Sequence, residues 1–412
     1  MRPLRFPETR ISAQHKGFPP SMIGLPGAGV AGRSGVLNFL TPLLMLDHDA
    51  LRHNLATLRE FCAQRGISLA PHVKTTMSPE IVNAQIEHGA WALTVATPSQ
   101  AIALRDLGAE RILLANELVE PHAIDWLAEE MSADPGFAGY CYVDSTEGID
   151  ILEKRLDGRA RPFPVLIEFG IAGGRTGTRN AAQALALAER VAASPVLELA
   201  GVGGFEGVIG GEPDAHLLER VRTYLRRLRD LADGMLPARG EFIVTVGGSA
   251  FIELVADVLG PEWQAGRPIR VVLRSGCYVT HDSLAYQRLR SLIGTEYEAL
   301  PLRPSLELWA SVLSSPEPGL AILDFGKRDT GLDSGFPVPL HRLRRGCTEI
   351  EPAPPGEIFA CNDQHAYFRG LLEVGDRVGF GISHPCTTFD KWRLFPVVDK
   401  DYRVLGTAQT LF

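Results

Sequence analysis

The stretch VLIEFGIAGGRTGTRNAAQALALAERVAASPVLELAGVGGF, residues 165–205, decides the fold class of this chain. Its two ends are apolar runs with the length of buried strands. The segment between them carries apolar residues at spacings of three and four, as an amphipathic helix does. A strand, a helix and a second strand in this order form a βα unit, and such units build parallel sheets. The stretch therefore predicts an α/β fold.

The same alternation extends along the chain in both directions. We predict eight apolar strand-like runs, at residues 43–46, 68–73, 92–96, 111–115, 139–143, 165–169, 199–205 and 242–246. Eight βα units make a (β/α)8 TIM barrel, and an open doubly wound sheet is the alternative.

The hydrophobic pattern of the sequence changes on both sides of this region. After residue 282 the sequence consists of strand-like pieces separated by Gly, Pro and Asp turns, with almost no helical periodicity, which predicts a second, mainly antiparallel β domain. Residues 1–40 are rich in Gly, Pro and Arg and are expected to be irregular structure that wraps another part of the protein. We expect residues 41–282 to form the barrel, and 1–40 with 283–412 to form the β domain.

The composition is that of a globular protein. Of 412 residues, 45% are hydrophobic and 22% are charged, so there is ample material for a core. The net charge of -8 does not favour binding to nucleic acid or to an anionic membrane. Six cysteines without a CxxC pair fit a reducing compartment. Neither a signal-peptide apolar region nor a run long enough to span a bilayer is present, so a cytoplasmic location is expected.

A lysine follows the second predicted strand in SLAPHVKTTMSPEI, residues 68–81. Barrel enzymes place their reactive groups at the carboxyl ends of strands. By strand alternation, Lys74 faces the same side as His72. A partly desolvated lysine has a lowered pKa and can form a Schiff base. Taken alone, the segment also fits a solvated lysine just past a strand.

Two glycine turns are candidates for a phosphate site. The segment VTVGGSAF contains Gly248 and Ser249, and LRSGCYVTHD contains Gly276, Cys277 and Tyr278. In barrels, the loops after the last two strands often hold a phosphate through backbone N–H groups and a small hydroxyl. Two ordinary βα turns would explain the composition equally well. Together with a reactive lysine, the turns suggest a cofactor that has both an aldehyde and a phosphate.

Two further segments carry candidate ligands. In IEFGIAGGRTG, Arg175 stands at a strand end, where its guanidinium could hold a phenolate or a carboxylate, although a surface arginine fits too. In GISHPCTTFDKW, His384 and Cys386 would share one face of an extended segment and could bind a divalent ion with positions left open for substrate and water. This pair suits zinc better than magnesium. A buried cysteine beside a hydrogen-bonded histidine is the alternative.

Beyond these segments, NDQHAYF offers further polar groups near the metal candidates. They could act as acid/base groups or hold the metal ligands in place, and a polar turn explains them too. The residues are Asp363, Gln364 and His365.

Taken jointly, these segments resemble the fold-type III pyridoxal phosphate (PLP) enzymes of the D-serine dehydratase and D-threonine aldolase family, whose barrel is similar to that of alanine racemase. The strings TPLLMLDHDALRHNL, APHVKTTMSPEI, VTVGGS, SGCYVTHD and HPCTTFDKW occur in the expected order. The resemblance implies that Lys74 carries the cofactor and that a homodimer forms. It implies a phosphate site made by Gly248, Ser249, Gly276 and Cys277, with His72, Arg175 and Tyr278 nearby.

The same resemblance implies a divalent metal on His384 and Cys386, with zinc preferred and manganese or magnesium open. Dehydratases of the family tend to pair His with Cys, and aldolases His with Asp. We therefore predict a D-3-hydroxyamino acid dehydratase that yields a 2-oxo acid and ammonia. The alternatives are a retro-aldol lyase that yields glycine and an aldehyde, and a non-catalytic PLP carrier. Thr76 and Met77 depart from the family's lysine motif, and Phe205 replaces a common tyrosine, which leaves the substrate open.

Overall fold

Two β-sheets of different construction organise the computed structural model, which describes residues 1–5, 7–33, 35–159, 161–235, 241–266 and 268–412. One sheet is wholly parallel and the other is mainly antiparallel. The described residues contain no helix that is both long enough and apolar enough to cross a membrane.

Eight parallel strands form the first sheet, in the order β2-β9-β8-β7-β6-β5-β4-β3. They are β2 (Ser68–Leu69), β3 (Leu93–Val95), β4 (Arg111–Glu117), β5 (Ala138–Val143), β6 (Phe163–Phe169), β7 (Leu197–Gly204), β8 (Phe242–Val246) and β9 (Ile269–Leu273). The two ends of this order meet just beyond β2, where His72 and Thr94 form a parallel bridge and the Trp91 N–H donates to the Leu69 carbonyl at 2.7 Å. The strands thus close the predicted (β/α)8 TIM barrel.

Helices connect these strands and cover the barrel. They are α1 (His48–Gln64), α2 (Pro79–Glu87), α3 (Pro98–Asp106), α4 (Pro121–Ala133), α5 (Thr146–Leu156), α6 (Ala181–Ala192), α7 (Ala215–Met235), α8 (Ile252–Val258), α9 (Pro261–Gln264) and α10 (Ala285–Ile293). The buried residues of α6 are Ala184, Leu187, Ala188 and Val191, which is the spacing of three and four that predicts a helix.

The second sheet gathers strands from both ends of the chain. It contains β1 (Leu43–Asp47), β10 (Leu306–Glu317), β11 (Leu320–Leu323), β12 (Val338–Leu343), β13 (Ile350–Pro352), β14 (Gly356–Cys361), β15 (Ala366–Gly370), β16 (Arg377–Gly381), β17 (Leu394–Val398) and β18 (Val404–Gln409). The main order is β13-β12-β16-β10-β1-β17-β18, and β11, β15 and β14 branch from β10. The short helix α11 (Cys386–Phe389) lies between β16 and β17.

The predicted barrel strand at 43–46 is wrong. β1 lies in the second sheet, antiparallel to β10 and parallel to β17. Its four apolar residues are buried because each face of the strand is covered: Leu44 and Leu46 pack in the main core, whereas Leu43 and Met45 pack against the N-terminal segment. A strand buried on both faces has the same apolar pattern as a barrel strand, and pattern alone cannot separate the two.

The eighth barrel strand is β9, which the predicted apolar runs did not include. Because the first predicted run is not a barrel strand, each of the other seven runs forms the barrel strand numbered one lower than predicted. Lys74 follows the first barrel strand, and the two glycine turns follow the seventh and eighth. The helix α10 is a second correction, since residues 283–412 were expected to lack helices. It follows β9 as the helix of the last βα unit.

The N-terminal segment is irregular, as expected, with 3-10 turns at Pro20–Met22, Gly27–Val30 and Val36–Asn38. Its apolar side chains, among them Phe18 and Phe39, pack with Trp309 of β10 on the outer face of the second sheet. Where the boundaries between the two domains fall stays a prediction.

Asn54 ties the barrel to the segment that leads into the β domain. This side chain on α1 is fully buried, and its Nδ2 donates to the carbonyls of Val279 at 3.1 Å and Arg303 at 2.7 Å. Its Oδ1 accepts from the Arg303 N–H at 2.8 Å. Asn54 thereby fixes the turn after β9 and also the segment that leads from the barrel into the second sheet.

Replacing Asn54 with Leu should lower the free energy of unfolding by roughly 1–3 kcal/mol, because buried backbone groups lose their partners while the volume changes little. Denaturant unfolding of the purified variant measures this. The exposed Arg59 on the same helix, changed to Leu, serves as the control and should stay close to the unmodified protein. Equal stability of the two variants would contradict the prediction.

Candidate active site

A cavity of about 290 Å3 lies at the carboxyl ends of the barrel strands, where the β domain meets the barrel. Nine of the ten predicted site residues line it: His72, Lys74, Arg175, Gly248, Ser249, Gly276, Cys277, His384 and Cys386. Tyr278 does not line the cavity, because its side chain is buried and its hydroxyl accepts from the Gln85 amide at 3.4 Å. The cavity thus brings together segments that are more than three hundred residues apart in sequence.

Lys74 lies in a 3-10 turn, Val73–Thr75, shortly after the first barrel strand. Burial lowers the pKa of Lys74, and the guanidinium groups of Arg175 and Arg274 act in the same direction against the two nearby thiols of Cys386 and Cys277. A lower pKa increases the fraction of neutral amine, which is the nucleophilic form. The environment therefore favours a reactive lysine.

His72 is held neutral beside this lysine. Its burial, with the positive charges of Lys74, Arg274 and Arg175, places the pKa of the imidazole well below its usual value. The Nδ1 atom is buried and has no hydrogen-bond partner among the described residues. A buried, neutral ring nitrogen without a partner is available to a bound group.

Gly276 allows two turns to approach each other closely. A Cβ atom at this position would come within 2.5 Å of both the His72 carbonyl oxygen and Thr75 Oγ1. The turn after the eighth strand can therefore pack directly on the turn that carries Lys74. The neighbouring turn after the seventh strand is tied to it, since the Tyr278 N–H donates to Ser249 Oγ at 3.1 Å.

The carboxyl group of the buried residue Glu206 lies in the glycine turn after the seventh barrel strand. No sequence motif indicated this contact. Glu206 Oε2 accepts from the Gly247 N–H at 3.0 Å, and Oε1 accepts from the Gly248 N–H at 2.7 Å. Burial raises the pKa of Glu206 despite these two hydrogen bonds. The backbone N–H groups of this turn therefore hold a carboxyl group of the protein itself.

Three candidate metal ligands with sulphur and nitrogen donor atoms converge at the cavity. Cys277 Sγ lies 3.4 Å from Cys386 Sγ and 3.6 Å from His384 Nε2. Ligand atoms of all three residues lie within 4.8 Å of one another. The thiol of Cys277 therefore lies beside the predicted pair of His384 and Cys386. Cys277 had been predicted to contribute only its backbone. The expected extended segment is wrong, because Pro385 has helical dihedrals and Cys386 begins α11.

An acidic cluster occupies the ends of three neighbouring barrel strands. Glu117, Asp144 and Glu168 have carboxylate oxygens within 4.8 Å of one another. Asp144 accepts from the Gly177 N–H at 2.9 Å, and both carboxylate oxygens of Glu117 are buried beside Glu168. Burial and the carboxylates of Glu168 and Asp144 raise the pKa of Glu117 to about 9. Glu117 therefore carries a proton at neutral pH.

Two arginines differ in their placement around the cavity. Arg175 is exposed, and its guanidinium carbon lies 4.7 Å from the centroid of the Phe205 ring. Arg274 is 5% exposed and donates to Thr245 Oγ1 at 2.8 Å and to the Gly204 carbonyl. Arg274 lies in the quoted segment LRSGCYVTHD, but it was not predicted as a site residue.

The polar residues of the NDQHAYF segment do not take part in this cavity. Asp363, Gln364 and His365 are exposed on the turn between β14 and β15, and Asp363 pairs with Arg328 at 2.9 Å. The three residues therefore form an exposed polar turn.

Comparison with known proteins agrees with this arrangement. Residues 46–266 match the family model for the N-terminal domain of alanine racemase, and residues 305–398 match a putative serine dehydratase domain. The chain is 24% identical over 349 residues to a 3-hydroxy-D-aspartate aldolase of Paracoccus denitrificans (strain Pd 1222), covering 82% of this chain and 83% of the relative.

Two solved structures share the fold. A D-threonine aldolase from Filomicrobium marinum superimposes with a TM-score of 0.74 at 22% identity, over 92% of this chain and 97% of that chain. A D-threo-3-hydroxyaspartate dehydratase from Delftia sp. HT23 superimposes with a TM-score of 0.71 at 22% identity, over 92% and 99%.

The barrel and the accompanying β domain are the architecture of the fold-type III class of PLP enzymes. Within that class, the chain belongs to the alanine racemase N-terminal domain family, whose model matches more than half of its length.

The raised pKa of Glu117 should make the stability of the folded chain depend on pH. The pKa of Glu117 is about 9 in the folded chain against 4.5 for the free side chain, so the folded state holds an extra proton between these values and loses stability as the pH rises through them. Replacing Glu117 with Gln removes this titration. The melting temperature of the variant relative to the unmodified protein should therefore rise from about pH 5 to about pH 9. The exposed Glu198, changed to Gln, should show no such trend, and a flat difference for Glu117→Gln would contradict the prediction.

Proposed function

We propose that this protein is a PLP-dependent lyase that acts on D-3-hydroxyamino acids. The observation that carries the proposal is that Lys74 and the cluster of Cys277, His384 and Cys386 line the same cavity. An amine that can hold an aldehyde cofactor and a group of metal ligands then act on one small substrate. The relatives support this class, since they are named as lyases of 3-hydroxy-D-aspartate and D-threonine.

The residues present fit PLP. Lys74 offers an amine with a lowered pKa, and the turns at Ser249 and Gly276 offer a hydroxyl and backbone N–H groups for the phosphate. The unpartnered Nδ1 of His72 and the guanidinium of Arg175 lie at the same cavity. When bound, PLP supplies an electron sink for the pair left behind as the α-proton is removed.

The side chains of the chain itself then handle protons and charge. A neutral Lys74 can accept a proton at Nζ. Tyr286 lines the cavity, and burial raises the pKa of its phenol well above the usual value, so the hydroxyl keeps its proton and can donate a hydrogen bond. The β domain covers the barrel mouth beside Lys74 and limits the access of water to the reacting atoms.

A divalent ion on His384 and Cys386 is part of the proposal, and it would supply Lewis acidity to the substrate hydroxyl. Zinc suits a thiolate and an imidazole better than manganese or magnesium do. Structures of D-threo-3-hydroxyaspartate dehydratase include a histidine variant and a cysteine variant two positions apart, the second in a metal-free form. His384 and Cys386 have the same spacing.

Within this class we favour a dehydratase, which releases a 2-oxo acid and ammonia. The pairing of His384 with a cysteine supports it, as does a segment of 89 residues that is 33% identical to the Delftia dehydratase. A retro-aldol lyase is the second candidate, because the relatives that match over about 80% of the chain are named aldolases. A PLP carrier without catalytic function would have no use for the cluster of metal ligands.

Turnover of D-serine, D-threonine, D-3-hydroxyaspartate and D-phenylserine should give a 2-oxo acid and ammonia from at least one substrate. The same reaction should stop after treatment with a chelator and return on addition of Zn2+. Product identification by chromatography separates the candidates. Glycine and an aldehyde would establish the aldolase instead, and activity that survives chelation would contradict the metal site.

Replacing Lys74 with Ala should abolish covalent attachment of PLP, because no other amine lines the cavity among the described residues. Borohydride reduction followed by peptide mass spectrometry measures the attachment. The exposed Lys327, changed to Ala, is the control and should keep the reduced adduct on Lys74. An adduct that persists in Lys74→Ala at another lysine would overturn the assignment.

The homodimer implied by the family resemblance is proposed as well. Sedimentation equilibrium of the PLP-loaded protein measures it directly, and a monomer at micromolar concentration would contradict it.

A further inference from the structure

We propose that Cys277 is a third protein ligand of the metal, so that this chain forms a site with two thiolates and one imidazole. The inference rests on the proposed metal site at His384 and Cys386 and adds a residue to it. Cys277 comes from the turn after the last barrel strand, whereas the other two ligands come from the β domain. The metal would therefore join the barrel to the β domain.

The distances among the three ligand atoms fit one ion. With Zn–S bonds of about 2.3 Å and Zn–N bonds of about 2.0–2.1 Å, tetrahedral angles separate two sulphurs by roughly 3.8 Å and a sulphur from a nitrogen by roughly 3.5 Å. In the structure the sulphurs of Cys277 and Cys386 are 3.4 Å apart, and Cys277 Sγ is 3.6 Å from His384 Nε2. A shift of a few tenths of an ångström between the sulphurs gives the coordinated geometry.

The surroundings orient His384 as a ligand. Its Nδ1 lies 3.4 Å from Asp333 Oδ2, and Thr387 Oγ1 donates to the other oxygen of Asp333 at 2.7 Å. A carboxylate beside Nδ1 keeps the proton on that nitrogen, and Nε2 then presents its lone pair to the two sulphurs. This carboxylate–histidine arrangement is typical of zinc sites. Asp333 is thus a positioning residue for the metal.

The hydroxyl of Thr75 lies next to both sulphurs. Thr75 Oγ1 is 3.5 Å from Cys386 Sγ and 3.7 Å from Cys277 Sγ. It can donate a hydrogen bond to a thiolate, which stabilises the charged form that binds metal. Thr75 is also the residue next to Lys74, so the same turn supports the metal site and carries the amine.

Two thiolates and an imidazole form a soft donor set, which binds Zn2+ in preference to Mn2+ or Mg2+. Three protein ligands leave one tetrahedral position, which the substrate hydroxyl can occupy. On binding, the two thiols release their protons to solvent, and no electron is transferred. Cys277 would thereby make the site more selective for zinc than His384 and Cys386 alone.

X-ray absorption spectroscopy of the zinc- and PLP-loaded protein, purified under reducing conditions, tests the inference. The unmodified protein should show two sulphur neighbours at about 2.3 Å, and Cys277→Ser should show one. The exposed Cys347, changed to Ser, is the control and should keep two. Zinc affinity, measured by competition with a chelator, should fall roughly tenfold or more in Cys277→Ser, by analogy with the loss of other metal-site residues.

The spectrum of the unmodified protein tests whether Cys277 binds the metal even if Cys277→Ser fails to fold. One sulphur neighbour in that spectrum overturns the third ligand and leaves the site at His384 and Cys386 intact. Protein that binds no zinc overturns both the third ligand and the proposed metal site. The two failures are therefore distinguishable without an activity measurement.

Discussion

The close approach of Gly276 to the turn Val73–Thr75 is the constraint on which the cavity depends. The first and last barrel strands are neighbours, and their following turns can touch only because position 276 carries no side chain. That contact places Cys277 beside Thr75 and next to the lysine turn. The two glycine turns, the amine of Lys74 and the cluster of Cys277, His384 and Cys386 therefore line one cavity.

The sequence was informative wherever a local pattern and a local structure coincide. The amphipathic segment that became α6 and the glycine turns after β8 and β9 were predictable, because helical spacing and glycine turns are properties of a few adjacent residues. Strand membership was not. β1 has the buried pattern of a barrel strand, but its partners are β10 and β17, and which strands pair is decided by tertiary packing that no local pattern records.

The site was predictable to a similar extent. Motifs predicted that Lys74, His384 and Cys386 belong to one site, and the cavity at the barrel strand ends contains all three residues. The thiol of Cys277, the carboxylate of Glu206 and the proton on Glu117 were not predictable. Each depends on a contact between residues distant in sequence, such as Glu206 with Gly248 or Glu117 with Glu168. The net charge of -8 also gave no indication that cations surround Lys74.

The position of β1 has a consequence for the synthesis of this protein. β1 leaves the ribosome early, yet both of its neighbours in the sheet belong to the last third of the chain. The barrel strands β3 to β9 pair with the strand next to them in the chain and so can assemble while translation continues, whereas β2 pairs with β9. Until the final strands emerge, β1 exposes two unpaired edges, which are prone to aggregation. The second sheet can therefore be completed around β1 only after β10 and β17 have been synthesised.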